Sequence, residues 1–371
     1  MTSSVNHWVQ VGAFLLGILL LPAIAQAQDY QIVSPSWVDP VDGPPRPRLA
    51  EIAVPESAGI LQLSRVGEFS ADTGTDNYAQ YGSESGDTVG TIYIYRTGLS
   101  DPGIVALATL QIIEGLYGEP VQTRNETTQL DDIPDAARMT VYENASVRGA
   151  TASTAAGFAR AGLWMIKVRV TGPQSRRDDI VGAAYALLRG IELPEGIPIQ
   201  PTSIYDPAPC PTIVTPPAAL VPGSGLEGAL VSSTLVAGRS DSDIEDDGNL
   251  FLRRPLENPC IVDGDVNEDG IWLVLGDAAR NGEPQIVLFG DSGHGMEVLP
   301  RIDELESRPF IALYRGDQAW IFGPFDGVPN IEQMRSLGGE GSMEWAGSPV
   351  AEVAVGSEGN SEIRIFSDTP D

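Results

Sequence analysis

Residues 91–118, TIYIYRTGLSDPGIVALATLQIIEGLYG, decide the fold. Thr91 to Arg96 is rich in β-branched and aromatic side chains, which pack well on a pleated surface and read as a strand. Ser100-Asp101-Pro102 then supplies a capping side chain and a proline whose missing N–H costs nothing in a first helical turn. The helix so opened runs to about Tyr117, with Gly118 as its stop. Ile104, Leu107, Leu110, Ile113 and Leu116 recur at helical spacing, so one stripe is expected to face a core.

The same order returns further along the chain. Trp164 to Thr171 sets Trp164, Ile166, Val168 and Val170 on one face of a strand and Met165, Lys167 and Arg169 on the other. Ser175, three residues before Asp178, reads as a capping box for a helix that ends at Arg189, with Gly190 behind it. Strands joined by short turns with two helices among them predict an α+β sandwich over residues 49–195. Its antiparallel sheet would carry both helices, unlike a doubly wound parallel sheet. The succession of TIYIYR, a helix, KVRVTGP and a closing helix resembles the Mog1/PsbP-like α/β/α sandwich, as in exported bacterial proteins, over residues 60–195. That resemblance lies in the order of elements. It implies a non-catalytic binding or assembly role, and it carries no functional residue onto this chain.

Proline recurs through residues 192–224. It removes backbone donors and fixes φ, so 196–224 is expected to be an extended linker. A second proline-rich stretch, 28–48, reads as an irregular arm. Beyond the linker, residues 225–371 form a mainly β domain. Its candidate strands are 229–237, 249–254, 271–276, 284–289, 309–314, 318–322, 349–355 and 361–367, with short helices at 301–307 and 329–337. Strands of this length and spacing point to a sandwich or partly closed barrel.

At the other end, residues 8–25, WVQVGAFLLGILLLPAIA, are apolar and lead into Ala25-Gln26-Ala27, the small-x-small pattern of a cleavage site. Residues 1–27 are therefore expected to be a signal peptide, which makes the mature protein periplasmic or secreted. The leader holds no Lys or Arg, so retention as an uncleaved anchor stays open as an alternative. Lipid attachment would need a cysteine at the cut, and the only two are Cys210 and Cys260. In an oxidising compartment these are expected to pair as a disulfide.

The chain has 22 basic and 51 acidic residues, a net charge of −29. A field of that sign repels phosphate, which makes nucleic acid and anionic membrane surfaces poor partners, and none is expected. No membrane insertion is expected once the signal is removed, and the partner sought is an envelope component or another protein. From residue 206 onward 9 basic residues face 29 acidic ones, leaving −20 there and −9 before it.

Several short motifs carry chemistry elsewhere. Gly290-Asp291-Ser292-Gly293 matches the surroundings of a serine nucleophile, but the mature chain's single histidine, His294, lies in the same turn and not across a site. One histidine and two paired cysteines do not make a zinc centre. Asp265, Asn267 and Asp269, followed by Gly270, match the first half of a calcium loop, although position twelve of that pattern is Gly276. Calcium ligands and solvated turn acids both remain open readings there, with Asp241, Asp243, Glu245, Asp246 and Asp247 as a second acidic loop. Arg315-Gly316-Asp317 reads as a hairpin turn. Lys167 and Arg169 are placed to hold either an anion or internal carboxylates.

The reading that follows is an exported, non-catalytic binding or envelope-associated module, with no catalytic residue and no cofactor beyond candidate calcium. Two alternatives stand beside it: a carboxylate-dependent, carbohydrate-active hydrolase, and a calcium-stabilised surface protein. A cleft holding two carboxylates at glycosidase separation, one with a raised pKa, would favour the hydrolase.

Overall fold

The computed structural model describes residues 30–366 apart from 39–42, 71–72, 98–100, 119, 148, 212–214, 222–228, 231–232, 234–257, 268–269, 281, 291–293, 300–307, 317, 339–344 and 356–360. The structure is mostly β, with one sheet in each half of the chain. The first contains β1 (Gln31–Ile32), β2 (Ser57–Ala58), β3 (Leu61–Glu68), β4 (Asp76–Ser83), β5 (Val89–Arg96), β6 (Val121–Leu130), β7 (Ile133–Val147), β8 (Ala150–Ala161), β9 (Trp164–Pro173) and β10 (Ile199–Gln200). Its order is β1-β3-β4-β5-β9-β8-β7-β6, with β2 on β3 and β10 on β8.

This sheet is mixed, which corrects the wholly antiparallel expectation: β1, from the proline-rich arm, runs parallel to β3. The arm is held there by Trp37, which is 2% exposed and donates its indole N–H to the Gly67 carbonyl at 2.8 Å. Burying an indole with its one donor satisfied is a strong anchor for an otherwise irregular segment.

Helix α1 (Pro102–Leu116) follows β5, and α2 (Arg177–Arg189) follows β9. Asp101 caps α1 by accepting from the Gly103 N–H at 2.7 Å, and Gly118, at φ +69°, supplies the left-handed residue that ends it. The capping box expected at Ser175 does not form. Gln174–Arg176 make a 3-10 turn directly after Pro173, and α2 starts at Arg177 without a side-chain cap. Asp178 and Asp179 complement its dipole instead.

Alternation along the strands gives the sheet two apolar faces. Ile92, Ile94, Val141, Ala159, Ile166 and Val168 pack with α2 through Ile180, Ala184, Leu187 and Leu188. Tyr95, Tyr142, Ala156, Phe158 and Met165 meet α1. Between Pro102 and Ile113 only Gln111 of α1 is not buried, so this helix is enclosed on nearly all sides and not along one stripe. Its other side is covered by the second sheet, through Leu273, Leu275, Ile286 and Leu288.

That second sheet is an antiparallel meander in sequence order: β11 (Pro259–Asn267), β12 (Gly270–Asp277), β13 (Glu283–Phe289), β14 (His294–Val298), β15 (Ile311–Arg315), β16 (Gln318–Phe322), β17 (Ala351–Val355) and β18 (Ser361–Ile365). Its eight strands form one sheet where a sandwich would have two. The face turned away from α1 packs Val287, Met296, Ile311 and Phe322 against Met334 and Leu337 of α3 (Ile331–Gly338). Residues 229, 230 and 233 are helical, which corrects the strand expected at 229–237; the Ser233 hydroxyl donates to the Ala229 carbonyl one turn back. The rest of that stretch, the strand expected at 249–254 and the helix expected at 301–307 fall outside the described residues.

Among its described residues the proline-rich connector contains no helix, and it is tied down at several points. Thr202 donates its N–H to the Asp135 carbonyl, Ile261 to Ala208, Cys210 to Ile261 and Val221 to Pro324, at 2.7–2.9 Å. Cys210 and Cys260 form the expected disulfide, which fixes the connector to β11. Among the described residues no helix is long and apolar enough to cross a membrane.

Candidate functional site

Among the described residues a groove lies between β6 and α2. In β6, Val121 to Leu130 reads VQTRNETTQL, a polar strand whose alternate side chains Arg124, Glu126 and Thr128 share one face. Opposite them α2 presents Gly182, Tyr185, Ala186 and Arg189, the i, i+3, i+4, i+7 stripe of one helical face. Together these seven residues line a groove of about 470 Å3. Gly182 and Ala186 leave room in it because they carry almost no side chain.

Tyr185 is the centre of the groove. Its ring centroid lies 6.0 Å from the guanidinium carbon of Arg124 and 5.4 Å from that of Arg189, within cation–π range. Its hydroxyl donates to the Glu126 carboxylate, and Arg124 stands 3.7 Å from the same group. Burial and this hydrogen bond push the Tyr185 phenol above its ordinary pKa. Arg189 has no carboxylate partner among the described residues. The groove thus sets two guanidiniums against one carboxylate, an excess suited to a carboxylate or similar anion held by planar forks. Having one carboxylate, it does not supply the pair a glycosidase needs.

The carboxyl groups with raised pKa lie elsewhere, beneath the connector. Burial pushes Asp101 up against hydrogen bonds from Tyr205 and Gly103, and it pushes Glu114 up against a hydrogen bond from Tyr142 at 3.3 Å. Beside them Arg138 is 0% exposed and donates to Asn125 Oδ1 at 2.9 Å, the Gly103 carbonyl at 3.1 Å and the Tyr205 carbonyl at 3.3 Å. Every nitrogen of that fork has an acceptor, so the charge acts as a tie between α1, β6, β7 and the connector.

The described residues singled out from sequence lie outside the lining of this groove. Asp265 lies in β11 opposite Trp272, and Asn267 pairs with Gly270 at the end of the β11–β12 ladder. Asp269 lies outside the described residues. Among the described residues no group of three His, Cys, Asp or Glu side chains is placed to hold a metal. Lys167, 2% exposed, has its Nζ 4.3 Å from the centroid of Tyr93, and Arg169 donates to the Tyr117 hydroxyl above whose ring it sits. His294 opens β14, while Asp291, Ser292 and Gly293 lie outside the described residues. Arg315 pairs with Gln318 at the end of the β15–β16 ladder, and Asp317 lies outside the described residues.

The groove residues escaped the sequence reading because Arg124 and Tyr185 are far apart in the chain. The signal that existed was local: an R-x-E-x-T alternation on one side and a helical stripe on the other. Neither the protein-family models nor the curated proteins contain a match to this chain.

Proposed function

We propose that this is an exported, non-catalytic binding module whose ligand seats a carboxylate in the groove between β6 and α2. The observation that carries the reading is the Tyr185 ring flanked by Arg124 and Arg189, with Glu126 as the groove's single acid. One cation left in excess in the groove, on a chain of net charge −29, favours a specific anion over general attraction. Kinship with the Mog1/PsbP-like α/β/α sandwiches, in which α1 and α2 would be the two helical layers, agrees with a binding or assembly role. Cleavage after Ala27 and a periplasmic or secreted setting belong to the same proposal.

Calorimetric titration of the mature chain with a glutamate-rich peptide and with oligogalacturonate tests the reading. Binding of either that Arg189→Ala weakens at least tenfold supports it. Binding indifferent to Arg189→Ala, or no heat with either ligand, removes the groove from consideration.

A further inference from the structure

Strand β6 is also the outer strand of its sheet, and among the described residues nothing pairs with its free side. The opposite edge, β1, is only two residues long, and the outer side of β11 is covered where Pro209 of the connector bridges Ile261. A long uncovered strand offers a row of unpaired N–H and C=O groups that templates another strand. Bulges against β7 at Gln122/Arg124 and Thr128/Leu130 leave 124–128 as the regular stretch. At the two ends of the strand stand Val121, 52% exposed, and Ile133, 40% exposed, which adjoins Leu130. Apolar side chains bracketing an open edge suit a polypeptide occupant better than a lone anion.

We propose that β6 pairs antiparallel with β6 of a second copy, about a twofold axis passing through Asn125. The charge pattern selects that partner and that register. Centred on Asn125, within the regular stretch, Arg124 of each copy faces Glu126 of the other. Directly opposed side chains on an antiparallel pair are close enough to interact, and opposite charges there stabilise while like charges destabilise. Moving the axis to position 124 sets Arg124 against Arg124, and moving it to 126 sets Glu126 against Glu126. The strand is therefore complementary to itself in one register and repulsive in its neighbours, as a closed twofold interface requires. The seam falls in the less acidic part of the chain, and at physiological salt the remaining charge is screened beyond about 8 Å. An axis perpendicular to the sheet leaves both copies of α2 on one face, so the two grooves open side by side. Strand β18, also unpaired on its outer side among the described residues, carries Glu362 and Arg364 in alternation, but over five residues only.

Sedimentation of the full mature chain at about 100 µM, a concentration that fills even a weak dimer, tests the seam. The expected species is a dimer. Arg124→Glu and Glu126→Arg each place like charges opposite one another twice, and each is expected to weaken dimerisation at least tenfold. The double variant Arg124→Glu/Glu126→Arg restores complementarity and is expected to restore the dimer, whereas Arg364→Glu leaves it intact. Amide exchange of residues 123–127 is expected to slow with protein concentration, a readout that needs no variant. A monomer at every concentration, a dimer indifferent to both single reversals, or a double variant that stays monomeric would overturn the proposal. Because Arg189→Ala touches the groove and not the seam, failure here is distinguishable from failure of ligand binding.

Discussion

The hydroxyl of Tyr205, in the connector, donates to the carboxylate of Asp101, the residue that caps α1. Burial raises the Asp101 pKa and this hydrogen bond lowers it, so the phenol offsets part of the cost of an ionised carboxylate under the connector. A carboxyl group raised above its unfolded value favours the fold when protonated, and that stability is lost as pH rises through the folded pKa. Tyr205→Phe removes the offsetting donor. It is expected to cost about 1.5–2 kcal/mol at neutral pH, as for a hydrogen bond to a charged group, and less once Asp101 is protonated. Urea unfolding on the neutral and acid sides of that titration checks both parts.

Gly103 is where the connector presses closest on α1. A Cβ there would lie 2.2 Å from the Ser203 carbonyl oxygen, which is backbone and cannot rotate away. Gly103→Ala is therefore expected to lose about 2–3 kcal/mol by forcing the connector off the helix. Gly182→Ala, in the interior of α2 with nothing within 4 Å of its new methyl, is expected to gain roughly 0.5–1 kcal/mol. Thermal melts of the two variants should move in opposite directions.

The disulfide links residues 50 apart in sequence, across the connector and the stretch before β11. In the chain-entropy model a loop of that length is worth roughly 4 kcal/mol. Cys210→Ser/Cys260→Ser should lower the melting temperature substantially. Protease should then cut the connector first, because its other ties near that point are single backbone hydrogen bonds.

His294 gives a contribution of the opposite sign to Asp101. Burial, helped by the positive charge of Arg315, holds its pKa below the ordinary histidine value. Its stability is fully present above the unfolded pKa of about 6.5 and is lost as pH falls from there through the folded value. Replacing it, as in His294→Gln, should flatten the stability profile on the mildly acidic side of neutrality, as followed by urea midpoints.

How much of this was legible depends on whether a signal was local. Asp101-Pro102 and Gly118 mark both ends of α1, and the stripe Ile104, Leu107, Leu110 and Ile113 is buried as its spacing implies. What the stripe concealed is that Val105, Ala106, Ala108, Thr109 and Ile112 are buried too. The clue was the absence of any charge between Pro102 and Gln111. Strand β11 was missed because PCIVDGDVN is dense in Asp and Gly, which read as turn residues until a partner strand supplies their hydrogen bonds. Strand β6 was missed for a related reason: an edge strand has no need of apolar alternation. The groove required Arg124 and Tyr185 to meet, and nothing in either segment specifies the other.

The enclosure of α1 by both sheets has a consequence for the order of events in synthesis. The helix is complete at Leu116, whereas the strands that cover its outer side begin at Pro259. Through that interval Leu107, Leu110 and their neighbours have only half a shelter, and transiently exposed apolar surface of this kind favours aggregation. A fragment ending at the connector would carry the same scar permanently. The last third of the polypeptide thus acts as the lid that renders the first two thirds safe.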